Sequence, residues 1–64
     1  MSDELRLDAL SIALRNGWVS VRSVREELKI ESERARQLVR FLAVNGVVSP
    51  QPDEQGVYTL RPRG

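Results

Sequence analysis

Residues 24–46 read VREELKIESERARQLVRFLAVNG, two short apolar-periodic segments separated at Lys29-Ile30-Glu31. After that break the apolar positions restart at Ala35, Leu38, Val39 and Leu42. Their spacing of i, i+3, i+4 and i+7 is one face of a 3.6-residue helix. Glu31 or Ser32 supplies its cap, and Asn45-Gly46 ends it near Asn45, because glycine enters the left-handed region without steric penalty. Upstream, Ser20 is the expected cap of a helix over 21–28 that buries Val21, Val24 and Leu28. Helix, short turn, helix is the layout of a helix-turn-helix, whose second helix can enter the major groove of DNA.

The flanks extend this unit. Before it, Ser2 caps a first helix with Asp3 and Glu4 in the opening turn, where carboxylates meet the positive end of the helix dipole. The helix runs to about Asn16, and Gly17 terminates it. It carries two apolar stripes, one of Leu5, Ala9, Ile12 and Ala13, the other of Leu7, Leu10 and Leu14. Cover on both sides is expected, from the following helices on one and the wing on the other; a dimer interface is the alternative. Trp18-Val19-Ser20 is short and β-prone, fit for a small third strand. After Gly46, Val47-Val48-Ser49 reads as a strand, Pro50 to Gly56 as a turn-rich loop, and Val57-Tyr58-Thr59-Leu60 as the returning strand. The expected fold is therefore mainly α with a small β-hairpin. It is a winged helix-turn-helix of three helices and two or three strands over residues 1–61, with 62–64 a frayed tail.

Composition narrows the function. Sixty-four residues make one small domain, and there is neither cysteine nor histidine, so disulfides and the commonest zinc sites are out of reach. No apolar run approaches the roughly 20 residues that span a bilayer, and no signal peptide opens the chain. The expected setting is the cytoplasm, with no membrane partner. Ten basic residues against nine acidic leave a net charge of +1, too little for a chain that coats nucleic acid without selectivity. Nine of the ten are arginine, whose planar fork contacts phosphate or guanine bidentately; a GC-rich genome produces the same bias. Without histidine, cysteine or a glycine-rich phosphate loop, no enzyme, catalytic residue, metal, cofactor or small-molecule substrate is expected.

Spacing helix 3 at 100° per residue sets Glu33, Arg36, Gln37, Arg40 and Val44 opposite the core direction, with Arg34 and Phe41 on one flank. Residues early in a recognition helix touch base edges. Gln37 suits adenine and Arg34 or Arg36 guanine or phosphate, while Arg40 is better placed for the backbone. Ser32 opens the helix. Glu33 either accepts from a cytosine amino group or positions an arginine, and Glu31 and Glu33 otherwise repel phosphate; the bland reading is a solvated face laced by Glu33–Arg36 and Glu33–Gln37 pairs. Ser20, Arg22 and Ser23 lie where exposed N–H groups and hydroxyls bind phosphate. The wing loop Gln51-Pro52-Asp53-Glu54-Gln55 is acidic, which leaves only Arg61 and Arg63, beyond the last strand, to reach the DNA backbone.

Laid out in this way, the chain resembles the winged-helix γ domain at the C-terminus of the FtsK/SpoIIIE DNA translocases. The correspondence runs without a gap from about Asp3 to Leu60. It covers Ala9 to Leu14, Gly17, Ser20, Leu28-Lys29-Ile30, Arg34-Ala35 and Gly46-Val47-Val48-Ser49-Pro50. That family reads a short polar DNA sequence that orients the motor, and also contacts a recombinase. Its recognition helix opens with a Tyr-Asn-Arg-Ala-Ala-Arg-like run, where this chain has Ser32-Glu33-Arg34-Ala35-Arg36-Gln37. Its basic wing residues fall on Gln55 and Val57. The resemblance implies the fold and general binding of double-stranded DNA, with Arg34 as the matching contact, in transcription regulation, replication or DNA partition. A winged helix used for contact with a protein partner or a second copy is the competing reading, favoured by Phe41, Val44 and the acidic wing.

Overall fold

A computed structural model describes residues 4–62; the expected Ser2 cap, Asp3, and Arg63 and Gly64 of the tail lie outside them. In chain order the elements are α1 (Glu4–Asn16), β1 (Trp18–Ser20), α2 (Val21–Leu28), α3 (Ser32–Val44) and β2 (Val57–Thr59). The molecule is mainly helical with a small antiparallel sheet, a winged-helix layout as the sequence implies.

Each helix ends by a recognisable local device. Gly17, at φ 81°, donates its N–H to the Ala13 carbonyl and turns the chain from α1 directly into β1. Gly46, at φ 76°, completes a Schellman motif: Gly46 N–H donates to Ala43 and Val47 N–H to Leu42. The close of α2 is different. Lys29 occupies the left-handed region at φ 56°, and Ile30 N–H reaches back to the Arg25 carbonyl. A side chain in that conformation costs about 1–2 kcal/mol, whereas glycine adopts it freely but gives up more chain entropy on folding. Lys29→Gly is therefore expected to stabilise the domain by up to about 1 kcal/mol, read as a higher urea midpoint at unchanged slope.

The sheet differs in detail from the expected hairpin. β1 pairs with β2 in the register Trp18↔Thr59, Val19↔Tyr58 and Ser20↔Val57, so the supposed accessory strand is one of the two regular ones. Val47-Val48-Ser49, expected as a strand, is reduced to a single bridge between Val48 and Leu60. Arg61 N–H still donates to Val47 and Ser49 N–H to the Thr59 carbonyl. The reciprocal bond fails because the Ser49 hydroxyl, at 3.4 Å, takes the Thr59 N–H that its own carbonyl would have received, and Pro50 brings no donor to extend the ladder. On its other edge β2 is extended by Leu60 N–H, which donates to Gly17.

The core draws Ala9, Ile12 and Ala13 from α1, Val19 from β1, Val24 from α2, Ala35, Leu38, Val39 and Leu42 from α3, and Val48 from the wing. Among the described residues no polar side chain is buried. Of the three residues expected to bury α2, only Val24 is fully inside; Val21 and Leu28 are half-buried at its edge. The larger correction concerns α1. Its second stripe is not covered: Leu7 is 63% and Leu14 60% exposed, and only Leu10 is half-buried. Leu7, Leu10 and Leu14 sit about 150° round the helix from Ala9, Ile12 and Ala13. The other elements pack mainly on the opposite side of α1, and Phe41 and the wing reach only the edges of that stripe beside Leu10.

Candidate nucleic-acid interface

The two helices of the helix-turn-helix are set by Val24 on α2 and the Ala35, Leu38, Val39, Leu42 stripe on α3. Burying that stripe turns the opposite side of α3 outward. Ser32, Glu33, Arg36, Gln37 and Arg40 are all exposed there, with Arg34 on the flank. Arg34 makes one long contact, its guanidinium donating to Gln37 Oε1 at 3.5 Å. Among the described residues, Arg36, Arg40 and Glu33 take part in no ion pair or side-chain hydrogen bond. The expected Glu33–Arg36 and Glu33–Gln37 lacing is absent, so the guanidinium forks of Arg36 and Arg40 are open to an external acceptor.

Phe41 is turned away from this face. Its half-buried ring lies against α1, with the Arg6 guanidinium 4.7 Å above its centroid. Val44, by contrast, is 76% exposed, beyond Arg40 at the C-terminal end.

The start of α2 is built by a reciprocal capping box. Ser20 Oγ accepts from Ser23 N–H and Ser23 Oγ accepts from Ser20 N–H, both at 3.0 Å. Ser23 Oγ also donates to the Ser20 carbonyl at 3.0 Å. The Ser23 hydroxyl is thus committed within the chain, and it borders an acidic depression with Glu26 and Glu27. Ser20 keeps its hydroxyl proton to donate outward, and Val21 and Arg22, in the first turn, have no intrahelical N–H partner. Arg22 is engaged only by Glu26 through a 3.3 Å contact between mostly exposed side chains, a pair of the weak, easily exchanged kind. Ser20 and Arg22 share a shallow depression with Pro52, Gln55 and Tyr58 of the wing. Sequence reasoning had not placed Tyr58 there. The signal was the alternation along β2: Thr59 is exposed, and Tyr58 lies on the face of its buried cross-strand partner Val19, half-buried at the edge of the core.

The acidic wing has a structural explanation for one of its two carboxylates. Asp53 Oδ1 accepts from Gln55 N–H at 2.8 Å and Val57 N–H at 2.9 Å, while its own N–H donates to the Val57 carbonyl. Asp53 therefore organises the turn from within, as Asx turns do, and its charge is drawn toward the loop backbone. Glu54 is exposed. Arg61 does not join the other cations: it lies beside Asn45, Gly46 and Val47, at the opposite end of α3 from Ser32, about 20 Å away along a 13-residue helix. Among the described residues no cluster of histidine, cysteine or carboxylates can hold a metal ion, and no helix is long and apolar enough to cross a membrane.

The arrangement offers two polar surfaces, the outer face of α3 and the α2 start with its neighbouring wing. Compared with models of known protein families, with curated proteins and with solved structures, the chain gives no match.

Proposed function

We propose that this chain is a double-stranded DNA-binding winged helix, with α3 in the major groove and the start of α2 against the phosphate backbone. One observation carries the reading: Arg36, Gln37 and Arg40 stand exposed on the outer face of α3, with the two arginines unpaired among the described residues. In this proposal Gln37 and Arg34 or Arg36 read bases. Arg40 and Arg22, helped by Ser20, hold phosphates. The likeness of the scaffold to the FtsK/SpoIIIE γ domain supports the same reading, with Arg34 as the shared contact. A cytoplasmic role in transcription regulation, replication or DNA partition follows from it.

Binding of mixed-sequence duplex at about 50 and about 200 mM salt tests the proposal. The two phosphate-holding arginines imply a loss of affinity on the order of tenfold between the two salt concentrations. No binding at the lower salt would overturn it. The second reading, a protein-contact module, would then lead, supported by the exposed Val44 at the end of the same face.

A further inference from the structure

Leu7 and Leu14 of α1 are mostly exposed with half-buried Leu10 between them, an apolar stripe at the edge of the core. Leu7, Leu10 and Leu14 follow the alternating three- and four-residue spacing of a helix–helix seam. Depressions of about 370 and 320 Å³ flank Leu10, one walled by Arg6, Leu7 and Phe41, the other by Leu14, Val47 and Leu60. Leu10 borders both, so stripe and hollows form one continuous surface of knobs and holes.

We infer that this face is a homodimer interface, in which α1 of one copy packs antiparallel on α1 of another about a two-fold axis near Leu10. The occupant is chosen by the charges beside the stripe. On one flank lie Glu4 and Asp8 toward the N-terminus and Arg15 toward the C-terminus. Antiparallel pairing that sets Leu7 opposite Leu14 of the second copy brings each Arg15 between Glu4 and Asp8 of the other chain. An isologous contact needs one patch that complements itself, and this one does so in the antiparallel orientation. Leu14 of the second copy then fills the hollow beside Phe41, and Leu7 of the second copy fills the hollow beside Leu60.

Arg15 has a partner within its own chain, Glu27 at 3.4 Å, but both side chains are about half exposed. Such a contact is readily shared or exchanged. The contact face, about 20 Å long, buries on the order of 1,000 Å² in total, the low end of specific interfaces. A weak, concentration-dependent dimer is expected. The outer face of α3 points away from α1 and stays uncovered, so the dimer stands or falls independently of DNA binding.

Sedimentation equilibrium of the full chain, from micromolar to about 1 mM, is the test. The native chain is expected to dimerise across that range. Leu7→Glu with Leu14→Glu is expected to weaken association at least tenfold, with unchanged far-UV circular dichroism because both side chains are already exposed. Arg15→Glu alone, and Glu4→Arg with Asp8→Arg, should each weaken self-association, whereas an equimolar mixture of these two variants should form heterodimers. A monomeric native chain at the highest concentration overturns the inference, as does association that ignores the leucine substitutions. Failure of the mixed variants to pair overturns the antiparallel register.

Discussion

Leu42→Ala is expected to leave a large fraction of the domain unfolded at room temperature. Leu42 is fully buried and is the largest of the completely enclosed side chains. Its neighbours in the core are mostly alanine and valine, held by three helices and the sheet, so the site cannot collapse around the missing atoms. Leucine-to-alanine changes of this kind cost about 2–5 kcal/mol. A domain of this size has a stability near the low end of the ~5–15 kcal/mol range. Leu38→Ala, at 3% exposure, should behave in the same way. Leu14→Ala is the internal control, expected to change stability by less than about 0.5 kcal/mol when measured on dilute monomer. Urea unfolding followed by far-UV circular dichroism compares the three. A loss below 1 kcal/mol for Leu42→Ala would mean that α3 does not seat as described.

The second expectation separates base reading from backbone contact on α3. Gln37→Ala, or replacement of a base-reading arginine at Arg34 or Arg36, should cost about 1–3 kcal/mol on the preferred duplex and much less on random sequence. Arg40→Ala and Arg22→Ala should instead weaken every sequence alike and flatten the salt dependence by about one unit of slope. Glu33→Gln distinguishes two roles for a carboxylate that is unpaired in the structure. Uniformly tighter binding marks a group that merely repels phosphate. Lower specificity without higher affinity marks one that accepts from cytosine or orients an arginine in the complex. Selection of bound sequences from a random duplex library, followed by salt titration of each variant, reads both quantities. If none of these substitutions alters binding, α3 is not the recognition element, and Val44 is the next position to replace.

Much of the architecture is local and was legible residue by residue. The period of Ala35, Leu38, Val39 and Leu42, the terminating glycines at 17 and 46, and the Ser20 cap all involve groups at most a few positions apart. Their partners are therefore the chain's own neighbours. The polar outer face of α3 was legible for the same reason, since it is the complement of the buried stripe. What depends on distant residues was not. Lysine is a good helix former, and only the need to fold α3 back onto α2 drives Lys29 into the left-handed region. The pairing of β1 with β2, and the Ser49 hydroxyl that interrupts the opposing bridge, follow from which segments meet across the sheet.

The same holds for the surface. Asp53 looked like an acidic deterrent at the wing tip until its carboxylate was found accepting from the loop's own N–H groups. Arg61, close to the wing in sequence, is carried to the far end of α3. By itself the sequence determined three helices, a tight turn and the arginine-rich face, because short-range periodicity and backbone conformational preference are properties of consecutive residues. Only the tertiary structure decided that Leu7 and Leu14 stay exposed while Leu10 is half-buried between Phe41 and the wing, because burial depends on which elements arrive over a surface and how far they reach.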